Sequence, residues 1–307
     1  MRRRSFLSLS AGAAAAALGV SRLRAAGLAA RIDFVGRYRW HMDDPAFGGW
    51  SAIEVTPDGT GFIALSDRSS IVSGRLLRDS GGRIAAVESG PIRPLTLKNG
   101  KPARLDAEGL ALAADGRVFI SEEGTHRVWM SRVPGQGLVA LPPLPGAQDL
   151  VRNQSLEALA VDAEGTVFTL SEVPRRSDGF PVFRFRQGRW EVPFVLSRNP
   201  DWDAVGADFG PDGTFFLLER GFAGLGGFRS RIRAFTFAED GATELPIVLE
   251  TPFRRYGNLE GLSVWQDADG YERYTMISDD NFLPLGLYTD IVEYRSRQPL
   301  DPARLMQ

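Results

Sequence analysis

The clearest copy of the stretch that decides the fold reads Asp106-Ala107-Glu108-Gly109-Leu110-Ala111-Leu112, then Asp115-Gly116, then Arg117-Val118-Phe119-Ile120-Ser121-Glu122. An acidic residue and an apolar run precede an Asp-Gly turn, and a second apolar run ends in another acidic residue. Asp-Gly between two apolar runs predicts a tight β-hairpin, because both central residues of such a turn adopt positive φ.

This pattern occurs five times along the chain. The further copies span residues 155–172, 207–220 and 258–281, and a degenerate first copy spans residues 50–68. The turn glycines are Gly59, Gly116, Gly165, Gly213 and Gly270, at spacings of 57, 49, 48 and 57 residues. Repeats of roughly 40–50 residues that contain strands are typical of propeller blades. Each unit also contains further strand-like runs, and four strands per unit match one blade.

The last repeat offers only three strands, and an unassigned strand-like run at residues 32–40 could supply the fourth. The sequence therefore predicts an all-β protein, a five-bladed β-propeller closed by its N-terminal strand and forming one domain over residues 31–307. Six blades remain an alternative if a long connection contains a degenerate unit. All-β domains of this length are common as single units.

Residues 1–30 have the features of an export signal. Arg2, Arg3 and Arg4 precede a weakly apolar, alanine-rich run without acidic residues, and the sequence Arg3-Arg4-Ser5-Phe6-Leu7 resembles the twin-arginine motif. An ordinary secretory signal is the alternative, and both predict a periplasmic or secreted bacterial protein. Removal of residues 1–30 takes away five arginines and no acidic residue, which changes the formal net charge from −2 to −7.

Composition excludes several kinds of chemistry. The chain has no cysteine, which excludes disulfides, thiol nucleophiles and thiolate metal sites, and only two histidines. The chain also lacks the Gly-x-Ser-x-Gly sequence that carries the nucleophile of many serine hydrolases. An acidic mature chain gives no general reason to bind nucleic acid. We therefore expect a small-molecule ligand and, by default, a monomer without a membrane span in the mature chain.

Hairpin geometry predicts that acidic residues converge. The start of the innermost strand and the end of its antiparallel neighbour lie at the same end of a blade, and a closed propeller presents these ends on one face. The sequence therefore predicts a ring of eight or more carboxylates at one mouth of the central channel. The predicted pairs are Glu108 with Glu122, Glu157 with Glu172, Asp208 with Glu219, and Glu260 with Asp279, joined by Asp67.

Such a ring requires compensation, because neighbouring carboxylates raise each other's pKa or recruit cations. Calcium is one candidate, since it prefers oxygen ligands. Arginine is the other, and Arg68, Arg127 and Arg220 follow the acidic strand ends closely in sequence. Arginines beside a metal would hold phosphate or carboxylate oxygens, so these three residues are candidates for binding an anionic substrate.

The repeats together resemble the phytase-like, "esterase-like activity of phytase" family over residues 49–294. The resemblance rests on the runs at 106–111, 156–159, 208–220 and 258–282. It implies an exported bacterial β-propeller that hydrolyses phosphoesters or carboxylic esters. Calcium is the cofactor that we expect from the acidic ring. Carried over residue by residue, the resemblance implies Glu108, Glu157, Asp208, Glu260, Asp279 and Asp280 as metal ligands, the first four also as catalytic carboxylates, and Arg220 as the anion-binding residue.

Three functions are compatible with these features. The first is a metal-assisted phosphoester or ester hydrolase, and the second is a lactonase-like propeller enzyme with one central calcium. The third is a non-catalytic propeller that binds a small molecule or an envelope partner. The fold alone does not distinguish them, because propellers serve all three roles.

Overall fold

A computed structural model describes residues 32–174, 179–282 and 287–299. The predicted export signal at residues 1–30 lies outside them. The described residues form five antiparallel sheets arranged as a five-bladed β-propeller. This confirms the predicted fold and the blade number of five rather than six. No helix in these three stretches is long and apolar enough to cross a membrane.

The main strands of blades 1 to 4 follow chain order from the channel outward. Blade 1 contains β2 (Trp50–Val55), β3 (Gly61–Ser66), β4 (Ser70–Arg78) and β5 (Ile84–Ser89), with the short β6 (Arg93–Pro94) also paired to β4. Blade 2 contains β7 (Ala107–Leu112), β8 (Val118–Glu122), β9 (Arg127–Ser131) and β10 (Val139–Ala140).

Blade 3 contains β11 (Leu156–Val161), β12 (Val167–Ser171), β14 (Phe183–Arg186) and β15 (Arg189–Glu191), beside the two-stranded pair β13 (Gly179–Pro181) and β16 (Val195–Ser197). Blade 4 contains β17 (Asp203–Phe209), β18 (Phe215–Phe222), β19 (Phe228–Phe237), β20 (Ala242–Glu244) and β21 (Leu249–Glu250). Short 3-10 turns occur at Ala147–Asp149 and Gly224–Gly226.

Blade 5 is completed from both ends of the chain. Its inner strands are β22 (Asn258–Gln266), β23 (Tyr271–Asp279) and β24 (Asp290–Pro299), and β1 (Ile32–Arg39) is its outermost strand. β1 pairs antiparallel with β24 from Ile32 opposite Ser296 to Arg39 opposite Asp290. The predicted closure by the N-terminal strand is therefore confirmed.

The core consists of five apolar clusters, one at each junction between neighbouring blades. The inner strands touch in a closed circle, with β22 against β2. Two glycines allow this close approach. A Cβ on Gly109 would lie 2.6 Å from the Glu157 carbonyl oxygen, and one on Gly206 would lie 2.3 Å from the Glu260 carbonyl oxygen. Small residues on the inner strands therefore set the width of the channel.

Candidate functional site

Every innermost strand contains a β-bulge near its start, and the bulge fixes what lines the channel. The register shifts between Trp50 and Ala52, and at the equivalent place in each of the other four blades. A bulge leaves one residue unpaired and redirects its side chain. The five bulge residues line the channel and form what we call the inner layer. They are Ser51, Glu108, Glu157, Val205 and Glu260.

A second set of side chains, the outer layer, lies on the second strand of each blade or directly after it. Each member comes one residue after the partner of the residue that precedes the bulge. These residues are Asp67, Glu123, Glu172, Arg220 and Asp279. Backbone hydrogen bonds between neighbouring blades hold two of these residues in place. The Asp67 carbonyl accepts the Ala107 amide at 3.4 Å, and the Glu172 carbonyl accepts the Ala204 amide at 3.2 Å. The two layers together define the mouth of the channel.

Blades 2 and 3 bring carboxylates close enough to share cations. Oxygens of Asp106, Glu108 and Glu123 lie within 4.8 Å of one another, and so do oxygens of Glu123, Glu157 and Glu172. Ca²⁺ binds oxygen ligands at about 2.3–2.6 Å, so two ligands of one ion lie up to roughly 5 Å apart. Both groups fit this spacing, and Glu123 belongs to both.

Blade 4 supplies the only arginine among these ten mouth residues. Arg220 donates from Nη1 to the Glu260 carboxylate at 2.6 Å and to the Asn258 side-chain oxygen at 3.0 Å. Its Nη2 also pairs with Glu172. The Asn258 amide donates to the same Glu260 oxygen at 2.7 Å. Arg220 therefore bridges carboxylates of both layers across the mouth.

Burial and mutual repulsion raise the pKa values of the mouth carboxyl groups. Burial raises the pKa of Glu123 to about 7, and the charges of Asp106 and Glu172 add to this effect. Burial raises the pKa of Glu260 to about 8 despite the nearby Arg220 guanidinium, and burial raises that of Asp279 to about 6. The pKa of Glu157 also lies well above its ordinary value, through burial and then the charge of Glu172. One guanidinium thus leaves the mouth undercompensated.

The expectation that Asp208 joins this ring is wrong. Asp208 pairs with Phe216, and Glu219 pairs with Ala204, so the two acids lie at opposite ends of the blade 4 hairpin. The bulge residue of blade 4 is Val205. Asp208 lies near the turn end of the channel, where its Oδ2 accepts the Val264 amide at 2.6 Å. In this repeat the acidic residue before the turn is Asp208, which lies three positions after the bulge residue Val205.

Asp208 has an acidic neighbour, Glu54, in this buried region. The Ser263 hydroxyl links the strands by donating to the Glu54 carboxylate at 3.4 Å and accepting the Val55 amide at 3.0 Å. Burial, followed by the charge of Asp208, raises the pKa of Glu54 well above its ordinary value. Burial raises the pKa of Asp208 to about 7.

Substitution of the buried Glu54 is expected to change the pH dependence of stability. A raised carboxyl pKa in the folded state favours folding at low pH, and this contribution is lost as pH rises through the folded pKa. Glu54→Gln is therefore expected to raise the Tm by several degrees at pH 8 and to have little effect at pH 5. Thermal unfolding at both values tests this, with the exposed Glu164→Gln as control. An equal shift at both pH values would contradict the assignment.

Other predicted site residues lie outside the two layers. Asp280 accepts the Gly49 amide at 3.0 Å and the Phe282 amide at 3.0 Å, which makes it a loop-bracing residue. The Arg68 guanidinium lies 3.2 Å from the centre of the Phe282 ring. Arg127 begins β9, the third strand of blade 2, and so lies one strand farther from the channel.

Two predicted partners in the second strands also face away from the mouth. Glu122 accepts hydrogen bonds from the Thr125 hydroxyl at 2.5 Å and the Trp129 indole at 2.9 Å. Glu219 is fully buried and pairs with Arg231 and Arg233 on β19. Of the predicted pairs, Glu157 with Glu172 and Glu260 with Asp279 do meet at the mouth, whereas the partner of Glu108 is Glu123.

Sequence reasoning missed Glu123 and Ser51, although a signal for both exists. In the first four repeats the bulge residue lies eight positions before the turn glycine, which gives Ser51, Glu108, Glu157 and Val205. In the middle three repeats the outer-layer residue lies seven positions after that glycine, which gives Glu123, Glu172 and Arg220. Counting from the turn, rather than matching acidic residues, identifies the mouth.

The channel beneath the inner layer is almost closed. Space of about 10 Å³ remains between the layer's side chains and the leucines and glycines below them. This is close to the minimum that holds one water molecule. A ligand therefore meets the carboxylates from the open face and does not pass through the propeller.

The fold and site define a five-bladed β-propeller with an acidic mouth at one end of its channel. The chain belongs to the phytase-like family, whose model, described as "Esterase-like activity of phytase", matches residues 45–282. This match confirms the family resemblance found in the sequence. No curated protein sequence matches the chain significantly.

Several solved propellers are similar in fold. An α-L-arabinofuranosidase from Podospora anserina, in complex with cellotriose, has 12% identity and a TM-score of 0.55 over 88% of this chain and 97% of its own. A family GH62 α-L-arabinofuranosidase from Coprinopsis cinerea has 12% identity and a TM-score of 0.53 over 87% and 97%. An exo-β-1,3-galactanase from Clostridium thermocellum has 10% identity and a TM-score of 0.56 over 88% and 63%. At this identity the similarity concerns the fold alone.

Proposed function

We propose that this propeller is a calcium-assisted hydrolase of phosphoesters or carboxylic esters, with its reaction centre at the acidic mouth. The observation that carries the proposal is the pair of carboxylate groups that share Glu123, each with oxygens within 4.8 Å. Membership of the phytase-like family supports hydrolysis as the class of reaction.

The mouth fits a hard cation better than an arginine-neutralised ring. Four inner- and outer-layer acids come from blades 2 and 3, and they are Glu108, Glu123, Glu157 and Glu172. Among the described hydrogen bonds and ion pairs, arginine reaches this group only through Arg220 to Glu172. Burial and neighbouring charges raise the pKa values of these carboxyl groups, and a bound cation would offset both effects. Asp106, Glu108 and Glu123 would hold one ion, and Glu123, Glu157 and Glu172 a second.

A bound Ca²⁺ would polarise the ester or phosphoryl oxygen and lower the pKa of a bound water. The protein's own groups would handle the proton. Glu260 suits general-base catalysis, because it is the inner-layer carboxylate that belongs to neither cation-binding group and its charge acts directly on Glu108. Its contacts with Arg220 and Asn258 fix its orientation.

Arg220 has a different role in this proposal from the anion-binding role implied by the family. Its guanidinium already donates to Glu172, Asn258 and Glu260, so few donors remain for substrate oxygens. We assign it as a positioning residue that holds the two carboxylates in place. Substrate anions would then be held chiefly by the cations.

A substrate panel tests the proposed function. Purified protein is assayed with phytate, p-nitrophenyl phosphate, p-nitrophenyl acetate and a γ-lactone, each in millimolar Ca²⁺ and in EGTA. We expect turnover of at least one phosphoester or ester that EGTA abolishes and added Ca²⁺ restores. Turnover of the lactone alone would favour the lactonase-like alternative. Absence of turnover on all four in Ca²⁺ would contradict hydrolysis and favour a non-catalytic binding propeller.

A further inference from the structure

The hairpin that carries Arg220 extends beyond the mouth. Strands β18 and β19 pair without a register shift from Phe215 opposite Phe235 to Phe222 opposite Phe228. The ladder therefore continues for two residues past Arg220 before the connecting turn. At about 3.3 Å per residue, Phe222 lies roughly 7 Å from Arg220 along the strand.

The projecting end of this hairpin is apolar and exposed. Leu225 is 95% exposed and Phe222 is 62% exposed, the two highest values for large apolar residues in the described part of the chain. We call Phe222 and Leu225 the apolar rim.

The rim stands on the same side of the hairpin as the mouth. Residues two apart on a strand share one face, so Phe222 lies on the face of Arg220. Arg220 extends over the mouth toward Glu260 of blade 5. The Phe222 ring packs against Phe228 at 4.7 Å between centroids, on that same face. The apolar rim therefore projects from the mouth end of blade 4, on the strand face from which Arg220 enters the mouth.

The turn is held in place although its side chains are exposed. The Ala223 amide donates to the Gly227 carbonyl at 3.1 Å, and the Gly227 amide donates to the Gly224 carbonyl at 2.9 Å. Arg254 also donates to the Leu225 carbonyl from the neighbouring connection. Exposing large apolar side chains on a braced turn costs solvation free energy, which a bound apolar group would recover.

We infer that the apolar rim binds the alkyl or aromatic part of an amphiphilic substrate whose phosphate or carboxylic ester group sits at the acidic mouth. This inference rests on the proposed function and narrows its substrate class. A fully polar, highly charged substrate such as phytate leaves the rim uncovered. A monoester with an apolar leaving group or acyl chain covers it.

Binding of two non-hydrolysable phosphonates tests the inference without requiring turnover. Isothermal titration in saturating Ca²⁺ compares hexylphosphonate with methylphosphonate for the wild type and for the double variant Phe222→Ser, Leu225→Ser. We expect the wild type to bind hexylphosphonate about tenfold more tightly than methylphosphonate. This is the factor expected from burying roughly two of the added methylene groups. The double variant should lose this preference and keep its affinity for methylphosphonate.

Val133→Ser is the matched control, because Val133 is also exposed but lies beyond the far end of β9, away from the mouth. It should retain the wild-type preference. Equal affinity of the wild type for the two phosphonates, or no binding of either, would overturn the inference. The substrate panel decides the proposed function separately, since turnover of short phosphoesters and esters does not depend on the rim.

Discussion

Replacement of Glu123 by Gln is expected to abolish stabilisation by Ca²⁺ and to lower Ca²⁺-dependent turnover by at least about 100-fold. Loss of a residue that only supports a metal ligand costs about 10- to 100-fold, so loss of a direct ligand should cost at least as much. Glu123 contributes to both groups of close carboxylates, so one substitution weakens both sites. Gln retains an oxygen that can accept the Ser155 amide, as Glu123 does at 3.2 Å. Fluorescence-monitored thermal unfolding and the hydrolysis assay provide the two measurements.

The neighbouring Glu122 supplies a matched control. Glu122 is also a buried glutamate at the end of β8, but it faces away from the mouth and bonds Thr125 and Trp129. Glu122→Gln should lose some stability and keep the full response to Ca²⁺. A metal response that survives in Glu123→Gln, or disappears equally in both variants, would contradict the assignment of Glu123 as the shared ligand.

Truncation of Trp40 is expected to lower the free energy of unfolding by about 3–5 kcal/mol, the usual cost of replacing a buried Trp by Ala. Trp40 directly follows β1, the strand that closes the ring, and is only 3% exposed. It stacks on Trp50 of blade 1 at 5.1 Å and meets Phe47 and Phe62 edge to face. For a domain of this size the Tm should fall by about 10 °C.

Trp190→Ala is the control for this substitution. Trp190 lies on β15, the outermost strand of blade 3, where its indole donates to the Pro142 carbonyl at 2.9 Å. Its removal leaves the closure between blades 5 and 1 intact and should cost less stability. Similar Tm losses for the two variants would contradict a special role for the closing strand.

The fold was predictable because the repeats carry their own signals. The five Asp-Gly or Glu-Gly turns mark equivalent hairpins, and the glycines adopt positive φ as such turns require. The incomplete last repeat and the additional strand at residues 32–40 predict closure, since an unpaired sheet edge is unfavourable. Both features are local in sequence, so they can be recognised without knowing how the strands pack.

The composition of the mouth was only partly predictable, because a one-residue register difference moves a side chain to the other face of a strand. The β-bulges supply that difference, and no residue type marks them. Glu122 and Glu123 are adjacent acids with opposite orientations, and the alternation alone does not choose between them. Asp208 resembles the glutamates in type, yet lies three residues nearer the turn than the bulge position Val205.

The pairing of arginines also depends on three-dimensional neighbours. Arg220 and Arg231 both lie near Glu219 in sequence, but Arg220 reaches blades 3 and 5 while Arg231 pairs with Glu219 itself. This division leaves blades 2 and 3 with an excess of carboxylates that the sequence does not reveal. It is the structural reason for favouring a cation at the mouth.

Thermal unfolding of the EGTA-treated protein at pH 8, with and without millimolar Ca²⁺, tests the metal-binding mouth most directly. Ca²⁺ at one hundred times its Kd should add about 2.7 kcal/mol to the free energy of unfolding, or about 5 °C in Tm. In EGTA, Glu123→Gln should unfold at a higher temperature than the wild type, because the raised pKa of Glu123 makes its charge unfavourable above pH 7. In Ca²⁺ the order should reverse. No Ca²⁺-dependent shift in the wild type would contradict a calcium site at the mouth.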